Sequence, residues 1–158
     1  MAAPTPTTRQ APAGRLLENG FRSLITLSRD PDIEFYERSV GMPGLDGGPP
    51  IDITTMHNVR WKTKSPQALI EGPDVVVSGG YDPVLFSRML EQINIRQTIT
   101  HTFPDGSTYC YFGFVQRFTP SAMNNGEFPM AEMGIVQTNW DPTNDVEADP
   151  VLAEVAGT

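Results

Sequence analysis

Residues 111–118 read YFGFVQRF, four aromatic rings in eight positions, and the fold turns on which way those rings point. A strand places successive side chains on opposite faces. Over residues 108–118 that rule puts Cys110, Phe112, Phe114 and Phe118 on one face and Tyr109, Tyr111, Gly113 and Val115 on the other. Both faces are largely apolar, the pattern of a strand covered on both sides. The cover is either the chain's own core or a neighbouring subunit.

The competing reading leaves one face open for nucleobases. Phe112-Gly113-Phe114-Val115 resembles the aromatic strand of an RNA-recognition motif, whose exposed rings stack on bases. That pattern asks for Lys or Arg at 110, Gly at 111 and an aromatic at 117, where this chain has Cys110, Tyr111 and Arg117. It also needs two helices, and the sequence signals one. Charge opposes it further: 11 basic against 19 acidic residues give a net of −8, which repels phosphate. Residues 1–80 hold 8 basic and 9 acidic side chains and residues 81–158 hold 3 and 10, so the aromatic stretch lies in the more acidic half.

Working outward, Ile95, Ile99 and Phe103 alternate with Arg96, Thr98, Thr100 and Thr102, a strand with one buried and one polar face. Pro104-Asp105-Gly106 marks a tight turn into the aromatic strand, predicted over 107–118. A last strand is expected from Met130 to Trp140 beyond an Asn124-Asn125-Gly126 loop. Earlier strands are expected over 21–27, 33–40 and from Val75 towards Tyr81. One helix is signalled: Asp82 can cap it, Pro83 suits its first position, and Val84, Leu85, Phe86, Met89, Leu90 and Ile93 share a face. The stretch GMPGLDGGPP (41–50) opens a long segment without clear periodicity, and loops of this length usually serve a function. The chain thus divides into a flexible arm (1–17), a β-domain (18–140) and an acidic tail (141–158). The tail carries five carboxylates and no base, and is expected to be mobile.

Signals for chemistry are sparse. His57 and His101 are the only histidines and Cys110 the only cysteine, without the short spacings of a zinc site. His101 falls on the apolar face of its strand, which reads as a hydrogen-bonded core or interface histidine. The glycines of 41–50 lack the spacing and following helix of a phosphate cradle, and no nucleophile elbow or dinucleotide fingerprint occurs. The expectation is a protein that is no enzyme and takes no metal or cofactor. No apolar run approaches the ~20 residues of a membrane helix, and residues 1–14 have no apolar signal core. A soluble, cytoplasmically made protein is expected.

Several segments in order resemble the major tail tube protein of long-tailed (siphovirus-type) bacteriophages, over roughly residues 18–142. In IDITTMHNVRWKTKSPQALIEGPD (51–74) the matching positions are Asp52, Thr54, Thr55, Trp61, Pro66, Leu69 and Gly72. VVVSGGYDPVLFSRMLEQ (75–92) resembles the family's strand and Tyr-Asp-Pro helix start at Tyr81, Asp82 and Pro83. ITHTFPDGSTYCYFGFVQRF (99–118) resembles its Phe-Pro-Asp-Gly hairpin and aromatic-Gly strand, and FPMAEMGIVQTNWDP (128–142) its closing strand. His57 and Asn58 depart from the pattern, where a small polar or acidic pair is expected.

The resemblance implies a mainly β fold, a β-sandwich or barrel with one packed α-helix and a long inter-subunit loop. It implies six-membered rings stacked into a virion tail tube, grown around a tape-measure protein between a tail-tip initiator and a terminator. Genomic DNA would pass through without specific binding. Met42, Leu45, Ile51, Asp52, Thr54, Thr55, Met56, His57 and Trp61 are expected to carry the loop's contacts with a neighbouring subunit or ring. Trp61 would otherwise pack on its own domain. Glu34, Arg38, Arg96, Thr98, Thr100, Thr102 and Glu132, from polar strand faces, are candidates for an anionic lumen; they would otherwise face outer solvent. Two alternatives stand beside this one: a tube-forming ring protein of a contractile tail or secretion system, and a monomeric barrel binding a ligand or RNA.

Overall fold

The computed structural model describes residues 23–33 and 35–154. Its strands are β1 (Leu24–Leu27), β2 (Tyr36–Val40), β3 (Ile51–Asp52), β4 (Lys64–Ser65), β5 (Val75–Gly80), β6 (Gln97–Thr102), β7 (Thr108–Pro120), β8 (Met130–Gln137), β9 (Trp140–Asp141), β10 (Val146–Glu147) and β11 (Val151–Ala153). Among the described residues there is one helix, α1 (Pro83–Leu90), between β5 and β6. The main sheet is antiparallel in the order β1-β6-β7-β8-β5-β2, with β11 added beside β7. Its ends curl towards each other, and the Ile25 amide donates to Glu37 Oε1 across the gap at 3.2 Å. Burial raises the Glu37 carboxyl above its usual range, although that backbone bond and its own amide oppose the rise. The mainly β barrel-like fold with one packed helix is as the sequence led us to expect.

Strand β7 organises the sheet. Residues 108–113 pair with β6, residues 113–120 with β8, and residues 108–110 also with β11 on the side that β8 leaves open. Tyr111, Gly113 and Val115 point into the core, together with Ile99, Ile135, Val77 and Met133 from the neighbouring strands. Gly113 is required there, because a Cβ would collide with the Val136 carbonyl oxygen. The inward rings therefore do not face solvent, and the open stacking face is excluded on that side.

The simple alternation fails once. Between Val115 and Arg117 the β7–β8 register slips by one residue at Gln116. A bulge of this kind exchanges the faces of everything beyond it. Phe118, expected beside Phe112 and Phe114, instead turns inward and meets Phe35, Tyr81 and Phe86 at ring separations of 6.3–6.4 Å. Arg117 turns outward.

Helix α1 begins as predicted, with Asp82 Oδ1 accepting from the Val84 amide at 3.1 Å and Pro83 in the first turn. Only Leu85 and Met89 of its apolar residues are buried; Val84, Phe86 and Leu90 are exposed. Ile93 lies past the helix end, where it bridges to Val115. The helix is eight residues long, so its buried stripe holds two side chains rather than six.

The segment expected as an acidic tail carries backbone pairing as far as Ala153. After the final main strand stops at Gln137, β9 and β10 form a hairpin and β11 joins β7. The intervening turn is held by Asp141, which accepts from the amides of Thr143 and Asn144 and from the Asn144 side chain, and is thereby held below the usual carboxylate range. Carboxylates do not prevent this order because they point to solvent while the backbone pairs.

His101 is buried and stacks on Tyr111, with Nε2 and the phenol oxygen 2.9 Å apart. Burial lowers its pKa to about 4 from an ordinary 6.5. Below pH 6.5 the unfolded chain takes up a proton that the native chain refuses. This contribution is therefore complete above pH 6.5 and is lost as pH falls towards 4, by about 3 kcal/mol across the window. Urea midpoints measured at pH 7 and pH 4.5 should fall more steeply for the native sequence than for His101→Gln, which removes the titrating group.

Candidate assembly interface

Residues 41–74 form a two-stranded ribbon rather than the irregular loop expected from the sequence. The Gly41 amide continues the β2–β5 pairing by donating to the Val76 carbonyl at 2.8 Å. Asp46 and Glu71 then exchange both backbone bonds at 2.7 Å. The Gln67 side chain donates to the Pro49 carbonyl at 2.9 Å, and β3 pairs with β4. Pro43, Pro49, Pro50, Pro66 and Pro73 remove donors along both sides of it, which keeps regular pairing to short patches.

The ribbon's tip is wired internally. Asn58 Oδ1 accepts from the Thr55 amide at 3.0 Å, and its Nδ2 donates to the Trp61 carbonyl at 2.8 Å and Thr63 Oγ1 at 2.7 Å. Thr54 Oγ1 accepts from the Thr63 amide at 2.9 Å. Asp52 accepts from Thr54, and those bonds hold its carboxyl below the usual range. Asn58, a departure from the resembled pattern, is thus the hub of the turn.

This ordered tip presents its apolar residues to solvent: Met56 is 91 % exposed, Val59 fully and Trp61 76 %. Met42, Leu45 and Ile51 are exposed along the same ribbon, as are Leu69 and Ile70. Trp61 does not pack on its own domain; its ring meets only the Arg60 guanidinium among the aromatic and cationic contacts of the described residues, at 5.6 Å. His57 is exposed, its amide donating to Thr55 Oγ1. The structure places all nine predicted loop residues on one projection. It adds Val59 and Ile70, which the sequence reading passed over although they are apolar residues inside a polar loop, and Leu69, which that reading had named only as a position of the resembled pattern.

The second surface is the outward face of the main sheet. Cross-strand register puts Thr98 opposite Phe112, Thr100 opposite Cys110 and Thr102 opposite Thr108. On the far side of β7, Thr119 lies opposite Glu132, and Arg117 opposite Gly134. The Arg117 arm crosses Gly134, where a Cβ would stand 2.7 Å from Nε, and its guanidinium reaches Glu132 at 2.6 Å. Thr98, Thr100, Thr102 and Glu132 therefore share one face. Arg38 is the extra residue of a bulge in the end strand β2, with its guanidinium 5.0 Å above the Phe128 ring. Arg96 is exposed one residue before β6. Glu34 lies outside the described residues. Arg117 is the partner that sequence reasoning missed, because only the bulge turns it to this side.

The described residues contain no group of three or more His, Cys, Asp and Glu side chains arranged to hold a metal, and none of their helices is long and apolar enough to cross a membrane. No family model and no curated protein matches the chain. Solved structures do. A chain from the virion of a native gene transfer agent particle aligns over 87 % of this chain and all of its own length, at 14 % identity and a TM-score of 0.62. A chain from the tail of an empty gene transfer agent particle, refined with C6 symmetry, aligns over 89 % and all of its own length, at 15 % identity and 0.60. A chain from the six-fold symmetrised baseplate of the anti-feeding prophage aligns over 91 % of this chain and 99 % of its own, at 10 % identity and 0.59. The shared property is the fold, and it is a fold found in virion, tail and baseplate particles.

Replacing Asn58 with Ala should release the tip without loosening the sheet. Hydrogen exchange at the Thr55 and Thr63 amides should accelerate at least tenfold, while the global urea midpoint stays within error of the native value.

Proposed function

We propose that this chain is a structural tail tube subunit, six copies of which close a ring and whose rings stack into the tube of a siphovirus-type tail. The observation that carries the proposal is the preordered ribbon with its exposed Met56, Val59 and Trp61. A lone soluble chain gains nothing from displaying such residues, whereas an assembly buries them. The fold match to tail and baseplate chains solved with six-fold symmetry supports the ring. The outer edge of β2, which pairs with no strand among the described residues, offers backbone groups for a neighbouring sheet. In this reading the tube grows around a tape-measure protein, between an initiator at the tip and a terminator, and later conducts genomic DNA. The role is mechanical, not catalytic.

We assign the outward sheet face, with Thr98, Thr100, Thr102 and Glu132, to the lumen, with Arg38, Arg96 and Glu34 towards its margins. Strands β1, β5, β6, β7 and β8 contribute one carboxylate and one guanidinium in all, Glu132 and Arg117, and these pair. Such a wall is hydroxyl-rich and locally neutral, not anionic. On those five strands the one cation is already paired, so DNA slides over them without a binding well. The same pairing argues against an RNA-binding monomer, because the one base on strands β1 and β5 to β8 is already engaged. The likeness to a chain from the anti-feeding prophage baseplate supports a second reading, the tube of another tail-like particle, built by the same contacts.

Purified protein, concentrated or seeded, should form long hollow tubes in negative-stain micrographs. A variant lacking residues 42–50 should fold and stay monomeric. Persistently monomeric native protein would sink the proposal. In a complete particle, Glu132→Lys should slow DNA delivery more than tail assembly, because it sets two cations side by side at Arg117. Equal, normal rates of both would remove Glu132 from the channel.

A further inference from the structure

The ribbon tip and the C-terminal edge carry opposite charge. Residues 53–70 contain Arg60, Lys62 and Lys64 and no carboxylate, and these two lysines are the only ones in the chain. Beyond Arg117 the chain holds seven carboxylates and no Lys or Arg. Arg60, Lys62 and Lys64 are exposed and make no ion pair among the described residues.

A groove of about 630 Å³ lies at the ribbon's base, between the ribbon and the C-terminal segment. Leu45, Leu69 and Trp140 supply its apolar surface, and Glu71, Glu147 and Asp149 supply exposed carboxylates at its rim. Its volume suits a large aromatic side chain with its neighbours. Leu69 is 80 % exposed, with no cover among the described residues.

Resting on the tube reading, we infer that this groove is the socket for the ribbon tip of a second copy: Trp61, with Met56 and Val59, enters it, and Arg60, Lys62 and Lys64 face Glu71, Glu147 and Asp149. The tip cannot serve its own groove. Trp61 is not among the residues that line this groove and stays largely exposed, and the Asn58 hydrogen bonds keep the turn closed. A knob and a socket on different parts of one chain make a head-to-tail contact, which propagates instead of closing on a dimer. The apolar anchor supplies affinity, and the charged rim sets register and encounter rate, so growth should slow as salt rises.

The test uses two full-length variants, Lys62→Glu/Lys64→Glu and Glu147→Lys/Asp149→Lys. All four positions are exposed, so both should keep the native circular dichroism and unfolding midpoint. Each alone should fail to form tubes at concentrations tenfold above the native threshold. Mixed one to one, they should co-assemble, because each tip then meets a groove of opposite sign. Carbodiimide coupling of native tubes grown from labelled and unlabelled protein should join Lys62 or Lys64 of one copy to Glu71, Glu147 or Asp149 of another. The docking is overturned if native tubes form and either variant alone grows normally, if the mixture stays monomeric, or if the lysines couple to other carboxylates. Native protein that never assembles removes the tube reading, and this docking with it.

Discussion

The thirteen residues of β7 hydrogen-bond to β6, β8 and β11, and one extra residue at Gln116 decides what each part of the strand shows to which side. Before the bulge, Tyr111 and Val115 fill the core while Phe112 and Phe114 lie outward, half-covered. After it, Phe118 joins the ring cluster under α1 and Arg117 emerges to pair with Glu132. A strand without the slip would bury a guanidinium and expose a phenyl ring, at a cost of several kcal/mol. Core, helix docking and outward electrostatics all depend on that register.

The ribbon poses the opposite problem, since it is ordered without being buried. Hydrogen bonds to Asn58, Thr54 and Asp52 fix a turn whose apolar side chains are exposed among the described residues. Covering each such side chain contributes about 1.5–3 kcal/mol. A segment already held in its binding shape loses less conformational entropy on docking than a disordered arm would. In the proposed assembly, preorganisation would turn exposed apolar surface into affinity instead of indiscriminate stickiness.

Charge is divided between regions rather than spread evenly. The outward sheet face is balanced by the Arg117–Glu132 pair, the ribbon tip is basic, and the C-terminal edge is acidic. The net charge of −8 is a sum over the chain, and most of it lies off the sheet, on turns and on the C-terminal segment. A global sum says nothing of which surface carries the charge, whereas register and pairing do.

Local chemistry made the strands, the Asp82–Pro83 helix start and the polar threonine row of β6 legible in the sequence, because each depends on side-chain alternation or on a cap within a few residues. The exposed apolar residues of the ribbon were legible as a list, and so was the polar row that shares a face with Glu132. Three things were not. The Gln116 bulge depends on β8 lying alongside; the ribbon's pairing joins Asp46 to Glu71 across 25 positions; and β11 is ordered only because β7 has an open side where β8 ends. The sequence by itself determined which segments extend and which residues want burial. Only the tertiary structure decided which strand lies beside which, and so which face each residue shows, because pairing partners far apart in the chain set the register.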